Sequence, residues 1–104
     1  VNIMASRHYT KSEATRLIKD FSRTGRVRNT KHAKTSMKER DITMQDVLCV
    51  FRNGAVVDNP DLDIKTNLWK YNIIGNSIDL DNVVVTVAID SKAKSITVIT
   101  VFQR

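Results

Sequence analysis

The first half of the chain carries apolar residues at helical spacing. In residues 9–25 the apolar positions share one face of a helix: Ala14, Leu17, Ile18 and Phe21. Thr10 followed by Glu13 forms a capping-box pattern at the start, and Gly25 predicts the end. The polar face carries four cations: Lys11, Arg16, Lys19 and Arg23. We therefore expect this helix to be both a core element and part of a basic surface.

The pattern predicts two further helices before the chain changes character. After a short connector or strand, "RVRNT", a second and less apolar helix is predicted from Thr30 to about Arg40. Thr43 with Asp46 resembles another helix start, and Gly54 marks the end of that third helix. Its inward-facing residues are expected to be Met44, Val47, Leu48 and Phe51.

After Gly54 the sequence is typical of strands. "AVV" and the predicted turn "DNPDLD" lead to "NLWKYNIIG", "NVVVTVAID" and "SITVITVF", which are rich in β-branched and aromatic residues. The short polar stretch "DSKAKS" suits an antiparallel hairpin between the last two. Helices followed by a run of strands predict an α+β fold, with N-terminal helices packed on a C-terminal antiparallel β-sheet. We expect one domain over residues 1–104.

Positive charge is concentrated in the first part of the chain. The net charge is +6, but residues 1–40 hold eleven Lys and Arg against three acidic residues, whereas residues 41–104 hold six against eight. This asymmetry predicts a polyanionic partner, with RNA, DNA or an anionic membrane as candidates. The alternative is that Lys and Arg simply cover helix exteriors.

Several classes of site are excluded by what the sequence contains. The longest apolar run, "VVVTVAI", is too short to cross a bilayer, so we expect no membrane anchor. The single Cys49 excludes an internal disulfide framework and a cysteine-based zinc cluster. The acidic stretches "DNPDLD" and "DLDN" lack the length and glycine of a calcium loop, and no phosphate-binding glycine loop is present. We therefore expect no metal and no cofactor.

The basic stretch "TKHAKTSMKERDIT" contains the most informative chemistry. His32 lies there with three lysines and one arginine, Arg40. An imidazole that titrates near neutral pH beside fixed positive charges is what RNA cleavage without a metal requires. The cations would stabilise negative charge on the phosphoryl oxygens, and arginine suits this role because of its bidentate fork. The alternative is that His32 fills a helix surface or caps a helix start.

The ordered pattern "TKHAKTSMKERDITMQDVLCVFRNGAVV", then "WKYNIIG", "VAID" and "ITVITVF", resembles a family of small domains over residues 28–103. Those domains look related to the RelE, MqsR and colicin-like ribonucleases of the BECR fold, in which helices pack on an antiparallel sheet. They occur as toxins of toxin–antitoxin pairs and as C-terminal toxin domains of contact-dependent growth inhibition (CdiA) proteins. Where the family has a turn glycine, this chain has Asp41.

The resemblance also implies site residues. His32 is the leading catalytic candidate, and Arg40 would bind or polarise the scissile phosphate. Thr100 matches a polar residue on the last strand, although an ordinary strand residue explains it equally well. Tyr71 would stack on a base or donate a hydrogen bond; Trp69 shares its strand face, and core packing is the alternative. The cations expected to hold the RNA backbone are Arg28, Lys31, Lys34 and Lys38.

Charge and resemblance together predict a metal-independent endoribonuclease toxin that cleaves tRNA or mRNA through attack of the 2′-hydroxyl on phosphate. The expected partners are RNA and an immunity protein or antitoxin with acidic residues. The toxin would act in the bacterial cytoplasm, either within its own cell or after delivery from a neighbour as part of a larger secreted protein. The alternatives are a non-catalytic nucleic-acid-binding module, a DNase toxin and a protein-binding domain.

Overall fold

Three helices and a sheet follow one another along the chain, in a computed structural model that describes residues 8–104. The elements are α1 (Lys11–Thr24), β1 (Arg26–Asn29), α2 (Lys31–Glu39), α3 (Met44–Asn53), β2 (Ala55–Val56), β3 (Asp61–Asp63), β4 (Leu68–Asn76), β5 (Asn82–Asp90) and β6 (Ser95–Gln103). The predicted α+β class, with helices before the sheet, is confirmed. Both predicted capping boxes, at α1 and α3, are present.

The sheet has the strand order β1-β6-β5-β4-β2, and β3 also pairs with β4. Strands β4, β5 and β6 form the expected antiparallel meander. β1 is the departure from the antiparallel expectation, because it pairs in parallel with β6. Parallel pairing requires a crossover connection, which here contains the two helices α2 and α3 and the other strands. A short, charged strand such as β1 is a common way of protecting a sheet edge.

The segment "DNPDLD", predicted as a turn, contributes strand β3 instead. Asp61 and Asp63 pair with Lys70 and Leu68 of β4. Aspartate is depleted in strands, but pairing and side-chain placement decide strand formation more than intrinsic preference does. The prediction of a turn over this whole segment was therefore wrong at its last three residues.

The helices cover one face of the sheet. Phe51 of α3 and Ile18 of α1 are fully buried against Ile73, Val85 and Val98. Successive residues of a strand point to opposite faces, so the neighbours of these core residues lie on the uncovered side. We call that side the open face. Its residues include Arg28, Asp63, Leu68, Lys70, Asn72, Thr86, Ala88, Thr97, Thr100 and Phe102.

The end of α2 explains the position where the resembling domains have glycine. Asp41 has φ 55°, in the left-handed region that glycine adopts most easily. The N–H of Asp41 donates to the Lys38 carbonyl, and the N–H of Ile42 donates to the Met37 carbonyl at 2.9 Å. This is a Schellman motif with its usual hydrophobic contact, since Ile42 and Met37 are both buried. Aspartate tolerates the conformation, so the turn is kept without glycine.

Helix α2 and its N-cap Thr30 also supply hydrogen-bond partners for backbone groups of β6 beyond the point where β1 ends. The backbone N–H of Thr30 donates to the Val98 carbonyl at 3.0 Å, and the Thr30 hydroxyl donates to the Ile99 carbonyl at 3.2 Å. The buried hydroxyl of Ser36 accepts a hydrogen bond from the N–H of Val101 at 3.2 Å. These contacts fix the start of α2 against the edge of the sheet.

Replacing Ser36 by alanine should therefore destabilise the fold. The change leaves the buried N–H of Val101 without its acceptor, which costs about 1–3 kcal/mol. Urea denaturation followed by circular dichroism measures the loss. Thr35→Ala is the matched control, because the Thr35 side chain is exposed and its hydroxyl bonds only to the Lys31 carbonyl within the same helix. Equal stability of the two variants would contradict this role of Ser36.

Candidate nucleic-acid interface

The N-terminus of α2 differs chemically from those of the other two helices. All three begin after a threonine whose side chain accepts a backbone N–H. In α1 and α3 the third residue after this threonine is acidic, Glu13 or Asp46, and it closes a capping box. In α2 the same position is Ala33, and the first turn contains no acidic residue. The positive end of the α2 dipole is therefore not compensated by a carboxylate of its own first turn.

The free N–H groups of this first turn belong to Lys31 and His32. The Thr30 hydroxyl accepts the Ala33 N–H at 3.0 Å, and the Thr30 carbonyl accepts the Lys34 N–H at 3.0 Å. Lys31 and His32 lie before these bonded groups, with exposed side chains. Backbone N–H groups at a helix N-terminus bind anions, and cationic side chains beside them add to the attraction.

A groove crosses the open face beside this helix N-terminus. Its volume is about 320 Å³, and it is lined by Thr30, Asp63, Thr66, Leu68, Lys70, Ala88, Thr97 and Ile99. A second depression of about 700 Å³ shares Leu68, Ala88 and Thr97 with the groove and extends towards Arg28 and the β5–β6 hairpin. The small side chains of Ala88 and Thr97, paired on β5 and β6, form the shared floor.

Cations stand at both ends of this floor. Arg28 pairs with Thr97, Thr97 with Ala88, and Ala88 with Lys70, so these four residues form one row across the strands. Adjacent strands lie about 4.8 Å apart, which places the Cα atoms of Arg28 and Lys70 about 14 Å apart. A negatively charged chain crossing the groove would therefore meet positive charge on each side.

One carboxylate lies inside the groove. Asp63 Oδ1 accepts the N–H of Lys65 at 3.0 Å and so shapes the turn between β3 and β4. Burial alone raises the pKa of the Asp63 carboxyl. Hydrogen bonds from Lys65 and Thr66 and the nearby charge of Lys70 outweigh burial, so the net pKa is lowered. Asp63 is therefore ionised at neutral pH and stands beside the ammonium group of Lys70.

His32 and Arg40 lie at opposite ends of α2. His32 is in the first turn, and among residues 8–104 no hydrogen bond or ion pair holds its ring. Arg40 is the C-cap, with its guanidinium 3.8 Å from the carboxylate of Glu39. Eight residues at 1.5 Å rise separate the two by about 12 Å along the helix axis. This separation suits contacts with two different phosphates of one strand better than with a single phosphate.

Thr100 and Tyr71 lie on opposite faces of the sheet. Thr100 is on the open face, in a row with Thr86 and Asn72 next to the groove. The Thr86 hydroxyl donates to Asn72 Oδ1 at 2.7 Å. Tyr71 is on the helix-covered face and only 2% exposed. The structure brings Thr100 to the groove side of the sheet and leaves Tyr71 out.

Core packing accounts for Tyr71. Its hydroxyl accepts the backbone N–H of Tyr9 at 2.8 Å, and the two rings lie 6.1 Å apart. Burial raises the pKa of the phenol and outweighs the hydrogen bond from the Tyr9 backbone, which lowers it; the charges of Tyr9 and Glu13 also raise it. The hydroxyl thus anchors the segment before α1. A phenol enclosed on this side of the sheet is not placed to reach a ligand in the groove.

The lysines of α2 form a stripe that continues from its N-terminus. Lys31, Lys34 and Lys38 follow at helical spacing, and all three are exposed. The buried residues Ala33 and Met37 hold the opposite side of the helix against the sheet. Arg28 of β1 is exposed as well, so all four cations expected to bind RNA are accessible on β1 and α2.

Lys19 of α1 has a structural task instead of contributing to a basic surface. Its ammonium group donates to the carbonyls of Phe51, Arg52 and Gly54 at 3.2, 2.7 and 3.0 Å, at the C-terminal end of α3. A cation there bonds otherwise unsatisfied carbonyls and balances the negative end of the helix dipole. Lys19 was expected on the polar face of α1 as one of four cations, and its ammonium group there bonds to the end of α3.

Lys19→Met should reduce the free energy of unfolding by about 1–2 kcal/mol, because the carbonyls lose a charged donor at the helix end. Chemical denaturation measures the change. Lys11→Met is the control, since Lys11 is exposed in the first turn of α1. If both variants were as stable as the unsubstituted protein, the three bonds to Lys19 would carry no net stabilisation.

Sequence reasoning missed the far wall of the groove. Lys70 and Leu68 alternate with the core residues Trp69 and Tyr71 along β4, and this alternation signals residues on the open face. Asp63 was assigned to a turn, so nothing linked it to Lys70. The starts of α1 and α3, "TKSE" and "TMQD", carry an acidic residue three positions after the threonine, whereas the start of α2, "TKHA", does not. This difference is visible in the sequence and would have identified the α2 N-terminus as unusual.

Within residues 8–104 no helix has the length and apolar character needed to cross a membrane. Over the same residues, no three side chains of His, Cys, Asp or Glu come together as a group able to hold a metal ion. Cys49, the single cysteine, is half-buried in α3.

Comparison with known proteins places most of this fold in one family. The family described as "Domain of unknown function (DUF4258)" matches residues 29–103, from the last residue of β1 to the end of β6. The matched segment contains α2 and most of the groove wall, whereas α1 precedes it. No curated protein and no solved structure matches the chain. Since the match covers more than half of the sequence, the chain belongs to the family described as "Domain of unknown function (DUF4258)".

Proposed function

We propose that this protein is a metal-independent endoribonuclease that acts as a toxin on bacterial RNA. The observation that carries the proposal is the N-terminus of α2, where free backbone N–H groups, Lys31 and His32 meet without an acidic residue in the first turn. The adjoining groove on the open face offers a place for the RNA strand beside this helix end. The site therefore combines an anion-binding element with a group able to transfer protons.

The proposed reaction uses the 2′-hydroxyl of the RNA as nucleophile. His32, as the neutral imidazole, takes the proton of this hydroxyl while its oxygen bonds to the adjacent phosphorus. The bond from phosphorus to the 5′-oxygen breaks, and the leaving oxygen is protonated by an imidazolium or by water. The products are a 2′,3′-cyclic phosphate and a 5′-hydroxyl. The backbone N–H groups of α2 and Arg28 stabilise the charge on the phosphoryl oxygens.

The remaining cations bind the strand around the scissile bond. The stripe of Lys31, Lys34 and Lys38 runs along α2 and holds successive phosphates. Arg40, about 12 Å from His32 along the axis, contacts a flanking phosphate. Thr100 lies in the row beside the groove and offers a hydroxyl to the sugar or base.

Toxicity supplies a cellular test of the same proposal. Cleavage of tRNA or mRNA stops growth, so producing the chain in bacteria should arrest growth unless an inhibitor is present. The partner that suits this surface is an immunity protein or antitoxin presenting acidic residues to the cations of β1 and α2. In this setting the protein acts in the bacterial cytoplasm.

A second candidate function is a non-catalytic RNA-binding module. It is favoured by the exposure of His32 and by the absence, among the described residues, of a hydrogen bond that orients its ring. A general base is usually held in place by a third group. In this alternative the same cations contact phosphate and His32 performs no chemistry.

Incubation of the purified protein with total bacterial RNA in EDTA separates the two functions. Discrete fragments are the expected result, and a strand with deoxyribose at every position should stay intact because it has no 2′-hydroxyl. RNA that is bound but uncut at saturating protein would favour the binding module. Cleavage that also occurs on the deoxyribose strand would point to a DNase.

A further inference from the structure

The groove on the open face contains a pair of opposite charges that the proposed chemistry does not use. Asp63 and Lys70 both line it, on the neighbouring strands β3 and β4. The rest of the lining is apolar or uncharged, with Leu68 and Ala88 as the smooth surfaces. A carboxylate inside the groove opposes binding of phosphate there, so the phosphates belong to the cations outside, at Arg28 and along α2.

Resting on the proposed RNA function, we infer that this groove binds a guanine base of single-stranded RNA, with Asp63 and Lys70 reading its edge. The partly apolar lining suits an aromatic base, and the volume of about 320 Å³ suits one small planar group. Cations lie within one strand spacing or one helical turn of the groove, where the adjoining phosphates would pass.

The choice of guanine follows from donors and acceptors. Guanine presents two adjacent N–H donors, at N1 and N2, that match the two oxygens of a carboxylate, and it presents O6 as an acceptor beside them. Asp63 already accepts hydrogen bonds from Lys65 and Thr66, so it offers guanine the lone pairs that these bonds leave, and Lys70 supplies the donor. Uracil offers one N–H between two carbonyl oxygens, which the carboxylate repels. Adenine and cytosine offer an amino group next to an unprotonated nitrogen and so match only in part.

The strand must be single. The N1 and N2 groups of guanine are engaged in base pairing within a duplex, and a base enters a groove of this kind only after it leaves the stack. The neighbouring depression of about 700 Å³, which shares the groove floor, gives room for the next nucleotide along the sheet. The open face thus serves as the surface that selects the RNA sequence, while the α2 N-terminus contacts its backbone.

Binding of fluorescent oligouridine strands with and without one central guanine tests this inference. His32→Ala is used as the background of every protein, so that the RNA stays intact. The guanine strand should bind about tenfold more tightly than oligouridine. Asp63→Asn should abolish that preference, because the amide presents donors to guanine N1 and N2, yet its oxygen still accepts the Lys65 N–H that shapes the turn. Asp79→Asn, at an exposed carboxylate between β4 and β5 and outside the groove, should keep the preference.

Two further measurements test the groove with an uncharged substitution and test whether the strand must be single. Ala88→Leu fills the groove floor without removing a charge and should also remove the guanine preference. Annealing the guanine strand to its complement should remove it as well. No preference for guanine, or a preference that survives Asp63→Asn, would overturn the inference and leave the proposed nuclease intact. If neither strand bound, the inference and the proposed function would fall together.

Discussion

Replacing His32 by alanine should reduce RNA cleavage by about 10²–10⁴-fold while RNA binding remains close to that of the unsubstituted protein. The imidazole is proposed to remove the proton of the 2′-hydroxyl, and the other titratable side chains in the first turn of α2 are the lysines Lys31 and Lys34. The side chain is exposed, so its loss should change stability by less than about 0.5 kcal/mol. Initial rates on a labelled RNA and fluorescence anisotropy measure the two quantities.

His8 provides the matched control. It is also exposed, and its ring packs edge to face on Trp69 with centroids 4.8 Å apart. Trp69 belongs to β4, which is three strands away from β1, the strand that leads into α2. His8→Ala should therefore cleave RNA at the unsubstituted rate. Full activity of the His32→Ala variant would remove the catalytic assignment, and equal loss in both histidine variants would indicate a general effect on the protein.

Neutralising the cations of β1 and α2 together should have the second large effect, on RNA affinity. The substitutions to glutamine are at Arg28, Lys31, Lys34 and Lys38. Each phosphate contact with single-stranded RNA contributes about 0.7 to the slope of log affinity against log salt, so the slope should fall by about 3. At low salt the affinity itself should fall by about 10²-fold or more. Anisotropy titrations over a series of salt concentrations give both values.

The control removes the same number of charges elsewhere. The substitutions to glutamine are at Lys11, Arg23, Arg52 and Arg104, all exposed. Net charge then falls equally in the two proteins, and only the location of the lost charge differs. A similar loss of affinity in both would mean that RNA responds to overall charge. That result would count against an interface along β1 and α2.

The local elements were predictable because their signals are local. Thr10 with Glu13 and Thr43 with Asp46 form capping boxes within four residues, and Gly25 and Gly54 end the helices that follow. The α+β class followed from the change of period after Gly54. Such signals depend only on residues close together in sequence, so they can be recognised without knowledge of the tertiary structure.

The sheet edges were not predictable in the same way. β1 pairs in parallel with a strand nearly seventy residues later, at Arg26 with Ser95, and its own sequence contains a single apolar residue, Val27. Close approach of α3 to β4 depends on Gly75, where a Cβ would lie 2.9 Å from the Cα of Gly54. Only the folded structure shows which distant residues meet at these places.

In the candidate site, too, the residues close together in sequence were predictable, and the contacts between distant residues were not. Lys31, His32, Lys34 and Lys38 lie on one helix, so the basic stretch itself identified this surface. Trp69 and Tyr71 were correctly expected to share a face, but which face the helices cover is decided by packing, and it placed Tyr71 in the core. Asp63 and Lys70 meet through a hairpin that the sequence pattern did not indicate.

The most direct test of the proposed nuclease is the chemistry of the RNA ends after cleavage in EDTA. We predict 2′,3′-cyclic phosphate on the upstream fragment and a 5′-hydroxyl on the downstream fragment, because the 2′-hydroxyl attacks the phosphorus. End-specific ligation and sequencing of the fragments identify both groups and the cut site. Ends that carry a 3′-hydroxyl and a 5′-phosphate, or cleavage that occurs only when a divalent metal ion is added, would contradict the proposed mechanism.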